Sequence, residues 1–191
     1  MKYLIIGILS IFLIKDNLIQ KDNYILWSSN RKLKFEDFKG KQKEFSFFEK
    51  ALSTCAIKSK GHINDIGIPV FDIKAVFVTN ESWIVQKDSL MLKHEQVHFD
   101  IAEVYARKIR KAIDSLAKLE VSNVDLYKTI LEKYYQQCDS YNDKYDNDVY
   151  TVINDDVEYR FEEQDRWIEK IAKELDELKE YEYVPNVIFE E

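Results

Sequence analysis

The chain has 191 residues, a length that fits one domain with at most a short appendage. It is 46% apolar and 14% aromatic, with only 4 glycines and 2 prolines; this excludes disordered, collagen-like and Pro-rich chains and argues against a many-turned β-sandwich. A net charge of −7 speaks against nucleic acid as a partner, because affinity there rests on neutralising phosphates.

The first element is a targeting segment. Met1-Lys2 gives a short positive start, Leu4 to Ile14 carries no charge, and Lys15-Asp16 closes the run. The run is too short for a spanning helix, which needs about 20 apolar residues. It suits the apolar region of a secretory signal. No small-x-small cleavage site follows Ile14, and no cysteine stands there for lipidation. Residues 1–20 are therefore read as a signal peptide or an N-terminal anchor. The expected destination is export, periplasmic or secreted, with membrane contact only through this segment. An exported chain permits one disulfide between Cys55 and Cys138; the alternative is two buried thiols.

From Asn23 to about Ser82 the pattern is that of short strands. Tyr24 to Trp27, Ala51 to Ile57 and Phe71 to Val78 are apolar, β-branched or aromatic, with Gly61, Gly67 and Pro69 as punctuation between them. Phe71, Ile73, Ala75 and Phe77 fall on one face of a strand. A short helical turn is expected around Phe35 to Phe38. After Trp83 the period changes. Asp88-Ser89 caps a helix from near Leu90, with a stripe of Val97, Ile101, Val104/Tyr105, Ile109, Ile113 and Leu116. Ser122-Asn123 starts a second helix, carrying Leu126/Tyr127, Ile130/Leu131, Tyr134 and Cys138. A polar interval from Asp139 to Asp148 follows. Asn154-Asp155-Asp156 is read as the cap of a third helix, with Val157, Phe161, Ile168, Ile171, Leu175 and Leu178 on its apolar side. The fold class is α+β: a small antiparallel sheet, then about three helices, in one domain over 21–191.

The chemistry lies on the first long helix, where His94-Glu95-Gln96-Val97-His98 forms H-E-x-x-H. Residues i and i+4 lie about 40° apart around a helix axis, so both imidazoles reach one Zn²⁺ from one face, as in a zincin. Glu95 is placed to serve as general base towards the water that zinc activates. A chain with 3 histidines yields this pattern by chance only about 0.003 times. The third ligand is not on the same helix. Glu103 falls about 180° from His94 and is expected to pair with Arg107 at i+4. Val104 stands where extended H-E-x-x-H families carry another histidine. The remaining histidine, His62, lies in the strand-rich half and is expected to be an ordinary surface residue. Tyr145 and Tyr150 are candidate transition-state donors.

The run His94 to Arg110, HEQVHFDIAEVYARKIR, resembles the signature of a bacterial family catalogued as a domain of unknown function and described as predicted secreted zinc-dependent proteases. Leu92, His94, Glu95, Gln96, His98, Phe99, Asp100, Ile101, Ala102, Glu103, Ala106 and Arg107 match its L-x-H-E-Q-x-H-F-D-I-A-E-x-x-A-R. Trp27-Ser28, Leu33, Phe35 and Asp37-Phe38-Lys39-Gly40 are similar to its opening, Ser82-Trp83 to the S-W before its helix, and Tyr145-Asp146 and Gln164-x-x-Trp167 to its late elements. The resemblance implies a zinc metallopeptidase acting on a peptide or protein substrate. The chain departs from the family at its T-x-H-G element: counting from Tyr145 places Thr151 at the histidine, and counting back from Gln164 places Val157 there. A carboxylate, Asp155, Asp156 or Glu158, is the candidate substitute as third ligand. The alternative reading is a non-catalytic cell-envelope binding or structural protein that keeps a degraded H-E-x-x-H helix as scaffold.

Overall fold

The structure is a computed structural model that describes residues 23–42, 50–85, 87–153 and 156–184; for 151–153 and 156–157 it describes the backbone alone. The expected signal or anchor, residues 1–20, lies outside the described residues, and among the latter no helix is long and apolar enough to cross a membrane. The architecture is α+β, a small antiparallel sheet followed by three helices.

Strand β4 (Pro69–Val78) is the centre of the main sheet, flanked by β1 (Tyr24–Leu26) and β3 (Cys55–Ile63), both antiparallel to it. Ile73, Ala75 and Phe77 of β4 are buried, as the alternation predicts, with Phe71 packed at their margin. The segment Ala51 to Ile57, expected as one strand, serves two pairings. Its start, β2 (Ala51–Leu52), pairs with β5 (Trp83–Ile84), and Cys55 onwards joins β4. Gly61 does not end this strand. It sits opposite Phe71, whose ring lies where a Cβ would be, at 2.7 Å, and stacks on Tyr127 at 5.7 Å. Here the missing side chain makes room for an aromatic ring and leaves the pairing intact. The expected turn near Phe35 is a 3-10 turn over Phe35–Asp37.

Helix α1 (Ser89–Lys118) is capped by Asp88, whose carboxylate accepts from the Leu90 amide at 2.8 Å. It is the central helix. Phe99, Ala102, Ala106 and Ile109 face the sheet cluster, while Val97, Ile101, Val104 and Tyr105 join a second cluster with Tyr145, Trp167 and Ile171. Glu103 makes the expected pair with Arg107 at 2.9 Å, and Arg110 also binds it. Arg107 further donates to the Leu175 carbonyl and the Glu182 carboxylate, and Arg110 to the Ile73 carbonyl. One buried carboxylate thus anchors two arginines that tie α1 to the sheet and to the end of the chain.

Helix α2 (Val124–Val149), capped by Asn123, runs well past the expected stop near Cys138. The interval Asp139 to Asp148 is helical. A hairpin of β6 (Tyr150–Ile153) and β7 (Asp156–Tyr159) follows, so Val157 belongs to a strand, and α3 starts later than expected, spanning Phe161–Glu177. Ile171 and Leu178 of the expected stripe are buried, whereas Phe161 is exposed; Gln164 and Trp167 share the buried face. Cys55 and Cys138 are free. Burial pushes both thiols up, Cys138 to about 12, so neither is a ready thiolate.

Candidate metal centre

His94 and His98 project from the first half of α1 towards the last turns of α2. There they meet Asp146. His94 Nε2 and His98 Nε2 each lie 3.1 Å from Asp146 Oδ1, and 3.1 Å from each other. Among the described residues these three form a group whose ligand atoms can hold a metal ion. The shape fits. Bonds of about 2.0–2.2 Å to a tetrahedral ion separate neighbouring ligand atoms by about 3.3 Å, close to the observed edges. Without a cation this close triangle brings together three polar atoms that would otherwise be better served by water or separate partners. The imidazole of His94 is almost fully buried, whereas the Asp146 side chain keeps 48% of its surface exposed. The group therefore opens to solvent on the α2 side.

The charges agree with a cation-binding role. Burial works against the His98 imidazolium, but the Asp146 carboxylate, with Glu95 and the Asn142 amide oxygen, outweighs it, and its pKa is pushed up to about 9. Burial likewise works against the Asp146 carboxylate, yet the His98 charge and hydrogen bonds from both rings hold it well below the usual range. Both shifts report one negative pocket that favours positive charge at Nε2, a place a divalent cation can take over from the proton.

The surroundings are aromatic. Tyr145 stacks on His94 at 4.6 Å between ring centres, and Tyr150 meets it edge-on at 5.0 Å. Tyr159 stands 6.3 Å from His94 and 5.2 Å from Tyr150. Burial pushes the phenols of Tyr145, Tyr150 and Tyr159 well up, and the Glu95 charge adds to this in each. All three remain O–H donors at neutral pH. Among the described residues the Tyr159 hydroxyl and His94 Nδ1 are buried without a hydrogen-bond partner. On the other side, His98 Nδ1 lies 2.7 Å from Asn142 Oδ1, and Asn142 Nδ2 donates to the Cys138 carbonyl at 2.9 Å.

Of the candidates read from the sequence, His94, Glu95, His98, Tyr145 and Tyr150 come together here. Glu95 is buried, 4% exposed, and its charge reaches His98 and the three tyrosines. His62 stands exposed on β3 opposite Val70 and is outside the group. Among the late carboxylates, Asp155 lies outside the described residues, Asp156 is described in backbone only, and Glu158 is exposed on β7. Asp146, Asn142 and Tyr159 were not singled out by sequence reasoning as a ligand, an imidazole partner and a donor. The helical period did hold a signal: Cys138, Asn142, Tyr145 and Val149 continue the α2 stripe at steps of three and four with polar residues in it.

The remaining residues of the α1 string have packing tasks. Asp100 accepts from Trp27 Nε1 at 2.7 Å and from Gln96 Nε2 at 2.8 Å, and pairs with Lys32. Gln96 in turn accepts from the Leu33 amide at 2.7 Å. No protein-family model, curated protein or solved structure matches the chain.

Proposed function

We propose that the protein is an exported zinc-dependent hydrolase, most fittingly a metallopeptidase, in which His94, His98 and Asp146 hold the ion and Glu95 is the general base. The observation that carries this reading is the 3.1 Å triangle of two imidazole nitrogens and a carboxylate oxygen beside a buried glutamate. A zinc ion held there would supply a Lewis acid and lower the pKa of a water towards about 7. Glu95 would accept the water's proton and deliver it to the departing amine. The Tyr159 hydroxyl, which has no hydrogen-bond partner among the described residues, would be the phenol free to donate to the oxyanion that develops on the attacked carbonyl. The resemblance to the secreted protease family supports the same reading. Its late elements come together beside the site, with Tyr145 donating to Gln164 and Trp167 packed on Tyr145 at 5.3 Å.

A second reading, a non-catalytic envelope protein, draws on Gln96, Asp100, Glu103 and Arg107. All four are held by internal hydrogen bonds, so the string can persist for packing alone. That reading leaves unexplained two histidines crowded on one carboxylate, and a buried Glu95 next to them. Metal content of the full chain, purified without a histidine tag beside His94→Ala, separates the two. About one zinc per chain, lost in the variant, is expected. Two histidines and a carboxylate also suit non-haem iron, so the elemental analysis must resolve both metals. No metal in the protein, even after incubation with zinc, would leave the scaffold reading in place.

A further inference from the structure

We infer that Asn142 is the positioning residue of the site: it fixes which nitrogen of His98 is free to bind the metal. The inference rests on the metal reading above and adds a residue that no sequence motif assigns. The Cys138 carbonyl can only accept a hydrogen bond. The Asn142 atom 2.9 Å from it must therefore be the amide nitrogen, Nδ2. That sets the other amide atom, Oδ1, towards His98 at 2.7 Å. An amide oxygen also only accepts, so His98 Nδ1 carries the proton and donates. The ring has one other nitrogen, Nε2, and it is the one aimed at Asp146 Oδ1 and His94 Nε2. In the neutral ring the lone pair is therefore on Nε2, the nitrogen that faces Asp146 Oδ1. A metal-binding imidazole generally needs such a partner on its far nitrogen to hold its tautomer and orientation.

The two histidines are held differently. His94 Nδ1 has no partner among the described residues, and its ring is held by stacking on Tyr145, whose plane is within 22° of it. Among the described residues, His98 alone of the two has its tautomer set by a hydrogen bond, and that bond comes from the same helix that supplies Asp146. One turn of α2 thus delivers both the carboxylate and the device that aims the imidazole.

The test uses the full chain and zinc alone. Dissociation constants are measured by competition with a chromophoric chelator for wild type, Asn142→Ala and Asn142→Asp, with far-UV circular dichroism checking the fold. Asn142→Ala is expected to bind zinc about 10–100-fold more weakly. Asn142→Asp keeps an acceptor for Nδ1–H and is expected to stay within about threefold of wild type. Unchanged affinity in Asn142→Ala, or equal weakening in both variants, would overturn the assignment. A second readout does not depend on the variants folding. ¹⁵N-histidine spectra of wild type should show His98 Nδ1 protonated both with zinc and after its removal; an unprotonated Nδ1 sinks the inference. Wild type that binds no zinc would instead refute the metal reading, and the Nδ1 proton would still report on the hydrogen bond.

Discussion

If the protein is the proposed hydrolase, Glu95 is the residue on which catalysis would turn. It is buried, 4% exposed, next to His94 in the chain. A purely structural metal site has no use for a buried carboxylate beside its ligand. Glu95→Gln is expected to retain zinc and lose hydrolysis by about 10²–10⁴-fold in kcat, while thermal stability stays equal or rises, as happens when a strained functional group is removed. Peptide turnover measured beside zinc content and a thermal melt decides it. Full turnover in the variant would remove Glu95 from its role. At this scale the sequence was informative where geometry is local: the i, i+4 spacing of His94 and His98 is set by the helix itself. Asp146 was harder to see because it belongs to another helix, and no local rule links a carboxylate on α2 to imidazoles on α1.

The helices show the same contrast. The cap at Asp88 and the stripe of α1 are strong local signals, and the structure follows them. The second half of α2 was hidden because its inner face is polar where it meets the histidines; a site interrupts the apolar period that would have announced the helix. The β6–β7 pair after it was read as a helix start because Asn and Asp favour helix caps. Two predictions belong to these elements. Glu103→Ala leaves Arg107 and Arg110 without their shared buried partner, and is expected to lower stability by about 3–5 kcal/mol in urea unfolding; a change near zero would show that the pairs add nothing. Glu174 on α3 joins three helices, binding Lys108 of α1 at 2.9 Å and Tyr141 of α2. Burial works against its charge, but Lys108 and the Tyr141 hydroxyl outweigh it and hold its carboxyl below the ordinary 4.5. A carboxyl lowered on folding adds stability that is present above the ordinary value and lost as pH falls through the folded one. The stability gap between wild type and Glu174→Gln should therefore be open at neutral pH and close on acidification. A gap that stays constant would refute the linkage.

At the level of the whole molecule, α1 brings two histidines and α2 one carboxylate, so an ion at this site ties the sheet-bearing helix to the helix that closes over it. A cation that binds the folded chain and not the unfolded one stabilises it by mass action, about 2.7 kcal/mol at a hundredfold excess over Kd. For a domain of this size that corresponds to a rise in Tm of about 5–10 °C. Zinc is expected to raise Tm by this amount, reversibly with a chelator, and Asp146→Ala is expected to abolish the response. The same melt also compares Asp146 with the late carboxylates. If Asp146 completes the site, Glu158→Ala, Asp155→Ala and Asp156→Ala should each keep the full zinc response. If one of them loses it while Asp146→Ala keeps it, the third ligand lies in the hairpin, and the two histidines and Asp146 meet only as a charge pair. The ion would then link α1 to β6 and β7 and leave α2 unbridged, so the set of variants that fail reports which parts of the fold the metal holds together.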